Sequence, residues 1–389
     1  MNFGIFTMPE HVPWENWTLS YDIDLEKVKI AERLGFDEFW CGEHHAGGFE
    51  NIPMPELHLA RASAVTSRIK LGTGTVNLPY HDPFMVAERM AFLDQLTKGR
   101  LIFGLGGGGL PFDQELFATG PTAGPRFDEA LEVVTRLWES DERISHDGEY
   151  YSFENREIQV PPYQDAPEIA IAGLRSLGKY ELCGDRGYAP MSMYYVRPNG
   201  AEGKEDVLSL NDQINAAVAA AEAAGRDPEE PRRRWRVLRE VYVAESREQA
   251  IEDIRRGHEA SYGYNIGLGI GALLEDRVGM PVEDMTLEWM IDSFPMIIGS
   301  PEDCIRQIQQ LEDETGGFGT LIINDRNWVT LDKWQRSMEL FMRYVAPAFI
   351  PREQQARRRR MVDGVMTNSD NWPPTWWSGR PQPRQLTRA

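Results

Sequence analysis

The stretch WCGEHHAGGFENIPMPE, residues 40–56, places Glu43 and two adjacent histidines, His44 and His45, at the end of an apolar run and just ahead of glycines. An imidazole titrates near neutral pH, so such a ring can carry a proton to or from a reacting oxygen. Consecutive residues of a strand point to opposite sides, so His44 and His45 do not chelate one ion, and neither HxH nor HExxH spacing lies nearby. The sequence points to no metal, and to one histidine facing the reaction while the other is buried and hydrogen-bonded. GLGGGG, residues 104–109, formally satisfies GxGxxG, with Asp128 at about the expected distance for a dinucleotide-binding acid. A third glycine inside a helix is missing, because Leu110-Pro111 follows and the clear helix starts near Arg126. Bare backbone here instead lets a flat ring or a phosphate approach the main chain. IAGLRSLGK, residues 171–179, leads from a strand into a helix and offers backbone N–H groups, the Ser176 hydroxyl and the charge of Arg175, which suits a phosphate cradle or an ordinary helix start equally.

These stretches need a scaffold, and the hydrophobic period supplies one. Short β-rich runs alternate with helical patterns: NFGIF, DEFWCGEHH, IKLGTGTVNL and RLIFGLG each precede a helix-period segment before residue 141. The rhythm breaks at HDGEYYSFENREIQVPPYQ, where Asp147-Gly148 between β-prone runs marks a hairpin insertion. It resumes with PEIAIAG, YAPMSMYY, RWRVLREVYVA and GTLIIND. Eight parallel strands with covering helices predict a (β/α)8 TIM barrel over residues 1–349, with insertions after strands four and seven, the second at about residues 261–295. A barrel carries its chemistry at the C-terminal strand ends, where Glu43, His44 and His45 fall. Phe6, Met8, Met191 and Met193 also sit at strand ends and are candidates for an apolar substrate pocket, although such residues equally make ordinary barrel core.

Bulk properties narrow the function classes. With 41 Lys and Arg against 61 Asp and Glu the net charge is −20, which argues against a nucleic-acid partner. Three scattered cysteines predict neither a disulfide framework nor a cysteine metal site, and no segment reads as a signal peptide or membrane span, so a cytoplasmic setting is expected. The C-terminal extension, residues 350–389, is rich in proline and arginine but carries Trp372, Trp376 and Trp377, which predict a docked segment.

Taken in order, LGFDEFWCGEHH, RIKLGTGTVNLPYHDPFMVAERMAFLDQLTKGRLIFGLGGG and IIGSPEDCIRQIQQLEDETGGFGTLII resemble the bacterial luciferase-like flavin-dependent monooxygenases across most of residues 1–349. EHHAGGFENIPMPELHLA is similar to the limonene and diketocamphane monooxygenase branch. The resemblance implies an enzyme that binds reduced FMN delivered by a separate reductase, reacts it with O2, and forms homodimers. An oxygenated flavin survives only where water is excluded, which suits an enclosed barrel mouth. His44 matches the family's catalytic histidine, with an imidazole pKa near neutrality, and His45 is expected to be structural. Gly74-Thr75 falls where the family has a non-proline cis peptide beneath the flavin ring. Ala172, Gly173, Arg175 and Ser176 match the phosphate-binding turn. Gly107 stands where luciferases carry a phosphate-holding arginine, a role that passes to Arg126 or Arg175. The same resemblance leaves two alternatives: a deazaflavin-dependent dehydrogenase and a non-catalytic flavin-binding relative.

Overall fold

The computed structural model describes residues 1–350 except 9, 12–13, 174–175, 193–207, 268–274, 276–279 and 295. Arg175, Met193 and the tryptophan-bearing tail therefore lie outside the described residues. Met1–Ala348 forms one compact unit.

The strands are β1 (Asn2–Thr7), β2 (Glu38–Cys41), β3 (Lys70–Thr73), β4 (Val76–Asn77), β5 (Leu101–Gly106), β6 (Ile144–Asp147), β7 (Ser152–Arg156), β8 (Glu168–Gly173), β9 (Ala189–Ser192), β10 (Arg236–Arg239), β11 (Val241–Val243), β12 (Ile297–Gly299) and β13 (Thr320–Asp325). Eight of them, β1, β2, β3, β5, β8, β9, β10 and β13, pair in parallel and close on themselves through β1–β13 and β3–β5. This is the expected (β/α)8 barrel. The strands read as near-continuous apolar runs because they are covered on the outside by helices and on the inside by one another's side chains.

Local sequence starts and stops the helices. Asn16 caps helix Trp17–Leu34 by accepting from the Thr18 and Leu19 amides, and Gly35 ends it at φ 95°. Ser300 and Asp303 form a capping box at helix Pro301–Thr315. The predicted hairpin is present as β6 and β7, antiparallel, with Asp147 opposite Ser152, so its loop spans residues 148–151 rather than a two-residue turn.

Phe6, Met8, Trp40, Ile102, Ala170, Ala189, Met191, Leu238 and Ile322 fill the barrel with one buried cluster. Glycine makes room for its largest member: a Cβ on Gly72 would lie 2.3 Å from the Trp40 ring, and one on Gly104 would lie 1.9 Å from the Thr73 carbonyl oxygen. Below this layer, at the N-terminal strand ends, Arg236 bridges Glu38 and Glu168 at 2.8 Å each, and Lys70 reaches Glu168 at 2.8 Å. Burial alone would raise the Glu168 pKa, but Arg236 and Lys70 overrule it and bring it down to about 2. This buried charge network closes the barrel floor, far from the mouth where the chemistry belongs.

One expected strand divides. RWRVLREVYVA separates at Glu240 into β10, which stays in the barrel, and β11, which leaves it to pair in parallel with β12. Between β11 and β12 runs helix Arg247–Gly267, so residues 261–267 are still helix where a loop-like insertion was expected to begin.

Candidate active site

His44 and His45 lie just past β2 in an irregular loop, not on the strand, yet they still part company. The His44 Nε2 is 3.0 Å from Glu50 Oε2, and its Nδ1 is 3.0 Å from Asp113 Oδ2. Asp113 sits in the short helix Pro111–Leu116 that follows the glycine-rich loop, and its second oxygen accepts the His45 backbone N–H at 3.1 Å. Burial disfavours a charged ring, but Glu50 and Asp113 outweigh it and raise the His44 pKa to about 10. The near-neutral imidazole expected from sequence is thus corrected to a cation at neutral pH, with both ring nitrogens donating. The physical cause is the second carboxylate, brought in from another βα loop.

The clamp extends outward. Glu50 forms an isolated β-bridge with Glu10, and Arg326 contacts Glu10 at 2.5 Å and Glu50 at 3.7 Å. Ser261 on helix Arg247–Gly267 donates to Glu10 at 2.6 Å, and Tyr264 stacks on Phe49 with ring centroids 3.9 Å apart. Burial raises the Glu10 pKa, helped by the nearby Glu50 and opposed by Arg326. The insertion helix is thereby tied to the loop that carries His44.

His45 faces a different set of partners. Its Nε2 is 3.1 Å from Glu43 Oε1, and His81 Nε2 is 3.0 Å from the same oxygen. Glu43 Oε2 accepts the Asn77 backbone N–H at 3.2 Å, and Phe117 packs edge-on against His45 at 4.7 Å. In sequence His81 is marked only as a histidine after a strand-end turn, LPYHDP, at the barrel mouth.

The expected flavin-side residues are distributed as follows. The Gly74-Thr75 peptide is cis, and it joins β3 to β4. A Cβ at Gly74 would lie 2.3 Å from the Phe6 ring, so Gly74 is required for packing against Phe6. Phe6, Met8 and Met191 belong to the buried barrel cluster, with Ala172 packed against it. Gly107 has open space where a side chain would be. Gly173 ends β8, its carbonyl accepting from Tyr180 at 2.7 Å, and Ser176 precedes helix Leu177–Arg186 without making a side-chain cap. Arg126 Nε donates to Thr122 at 3.1 Å, and its guanidinium lies over the Tyr150 ring at 4.9 Å, turned towards the hairpin. Lys179 lies in the first turn after Ser176, and its Nζ reaches Asp128 at 2.9 Å. Burial lowers its pKa against the pull of Asp128.

A family model described as luciferase-like monooxygenase matches residues 1–317. The 4-hydroxyprotoasukamycin monooxygenase of Streptomyces nodosus subsp. asukaensis is 35% identical, the match covering 90% of this chain and 92% of that protein. Limonene 1,2-monooxygenase of Rhodococcus erythropolis is 34% identical, covering 90% and 87%. Among solved structures, the oxygenating constituent of 3,6-diketocamphane monooxygenase from the Pseudomonas putida CAM plasmid, a type II Baeyer-Villiger monooxygenase in complex with FMN, superimposes with a TM-score of 0.73 at 26% identity, covering 89% of this chain and 98% of that one.

Proposed function

The chain belongs to the luciferase-like monooxygenase family and is a flavin-dependent oxidoreductase of it, and from that premise we propose a two-component monooxygenase. It takes reduced FMN from a separate reductase and, with O2, oxygenates a small apolar substrate: a terpenoid-like alkene or ketone, or an aldehyde. The observation that carries this reading is the open helix start at Ser176. A serine that makes no side-chain cap at the start of a ten-residue helix and the nearby Lys179 fit a phosphate, while the side-chain-free space at Gly107 leaves room. Gly173, Ser176 and Lys179 would hold the phosphate end, and the Gly74-Thr75 peptide would lie under the ring. When bound, reduced flavin supplies the electrons that activate O2.

The chain's own residues then bind, orient and handle protons. His44, held cationic by Glu50 and Asp113, is the proton donor of the site. Both of its nitrogens are occupied in this conformation, so it reaches a reactant only by releasing one carboxylate. The Phe49–Tyr264 stack ties helix Arg247–Gly267 to the loop that carries His44. Self-association as a homodimer is supported by exposed Met85, Phe92 and Leu96 on one face of helix Pro83–Thr97, beside exposed Leu57 on helix Pro55–Ser63. No helix among the described residues is long and apolar enough to cross a membrane, and we place the enzyme in the cytoplasm.

The test is oxygen uptake by the purified protein with reductase-supplied FMN and a panel of apolar alkenes, ketones and aldehydes, with products identified by mass. Substrate-dependent uptake with one oxygen atom added to the product is expected. Turnover of an alcohol with oxidised deazaflavin and no oxygen uptake would make it a dehydrogenase instead, and flavin binding without turnover a non-catalytic relative.

A further inference from the structure

We propose that Glu43, His45 and His81 form a binding site for one first-row divalent cation of the Zn2+ and Co2+ class at the barrel mouth. The ligand atoms of these residues all lie within 4.8 Å of one another. Donors on one tetrahedral ion bound at about 2.0–2.1 Å sit roughly 3.4 Å apart, so the two Glu43–histidine separations open slightly while the imidazole nitrogens, no more than 4.8 Å apart, close in. The two histidines already converge on a single carboxylate oxygen at 3.1 and 3.0 Å. Two imidazole nitrogens and a carboxylate oxygen converging on one point are the donor set and arrangement that such an ion requires.

The ligands come from two successive βα loops and are held from outside. Asn77 fixes Glu43 twice, its backbone N–H on Oε2 at 3.2 Å and its side-chain amide on the Glu43 carbonyl oxygen at 3.4 Å. His45 is walled by Tyr80 and Phe117, whose rings stack at 4.6 Å. The Glu43 side chain is 1% exposed, while those of His45 and His81 are 11% and 10% exposed, so the imidazoles form the accessible side of the cluster. Two imidazoles and one carboxylate favour Zn2+, Co2+ or Ni2+ over Mg2+ and Ca2+, which prefer all-oxygen sites. His44 and His45, adjacent in sequence, carry no metal-ligand spacing. The structure separates those two and supplies His81 instead.

The experiment needs neither flavin nor turnover, so its outcome is independent of the function proposed above. The full chain, stripped with chelator, is titrated with Co2+ at pH 7.5 and followed by visible absorbance, with Zn2+ as competitor. One equivalent of Co2+ should bind with a tetrahedral d–d band and be displaced by Zn2+. His81→Asn and Glu43→Gln should each weaken binding at least about tenfold, whereas His146→Asn, which alters a histidine–glutamate pair on the hairpin, should leave it unchanged. Circular dichroism identifies any variant that has failed to fold, and His81→Asn suffices if Glu43→Gln is lost. No saturable binding in the wild type, or stoichiometric binding retained in folded His81→Asn, overturns the proposal.

Discussion

Glu50→Gln isolates the electrostatics of the His44 clamp. The substitution keeps an oxygen 3.0 Å from Nε2 but removes its charge, leaving Asp113 as the sole anion on the ring. Two unit charges about 4 Å apart interact by about 4 kcal/mol at an effective dielectric near 20, nearly three decades of proton affinity. The amide oxygen still accepts a hydrogen bond and the His44 side chain is 16% exposed, both of which reduce the loss. His44 should therefore bind its proton roughly a hundredfold less tightly than in the wild type, where its pKa is about 10. Its folded pKa lies above the ordinary value of 6.5. The stability it confers is thus fully present below about pH 6.5 and fades as the pH rises towards 10. The assay is carbon-detected NMR titration of labelled imidazoles, with urea denaturation from pH 6 to 10 alongside. The variant should titrate at lower pH and lose the clamp's share of the alkaline decline. A His44 resonance that titrates at the same pH in both proteins would refute the assignment of the raised pKa to Glu50.

Further predictions address other parts of the molecule. His44→Ala should retain FMN binding while losing coupled oxygenation and releasing hydrogen peroxide, read by peroxide yield per flavin oxidised; wild-type product yield would remove His44 from the chemistry. Arg236→Met should destabilise the fold by about 3–5 kcal/mol in urea because it leaves Glu38 and Glu168 facing each other on the barrel floor, and should leave flavin affinity near that of the wild type. Ser176→Asp places a negative charge at the start of helix Leu177–Arg186 and should weaken FMN binding at least about tenfold while sparing riboflavin, by fluorescence quenching; equal loss of both would move the phosphate elsewhere.

The sequence by itself determined the barrel, because alternating strand and helix periods are local properties of the chain and eight of them in succession leave few ways to close a sheet. It also marked the Glu43–His45 corner and the Ser176 turn, since glycines, histidines and helix starts at strand ends stand out by type and position. The partners of those residues were settled only by the tertiary structure. Asp113 meets His44 across 69 residues and His81 meets Glu43 across 38, separations at which no periodicity carries information. The charge state of His44 follows from those partners, so a near-neutral imidazole was the natural expectation and a clamped cation the outcome. The departure of β11 from the barrel at Glu240 was hidden for the same reason: Val241–Val243 has the composition of a barrel strand, and only the presence of β12 alongside decides which sheet it joins.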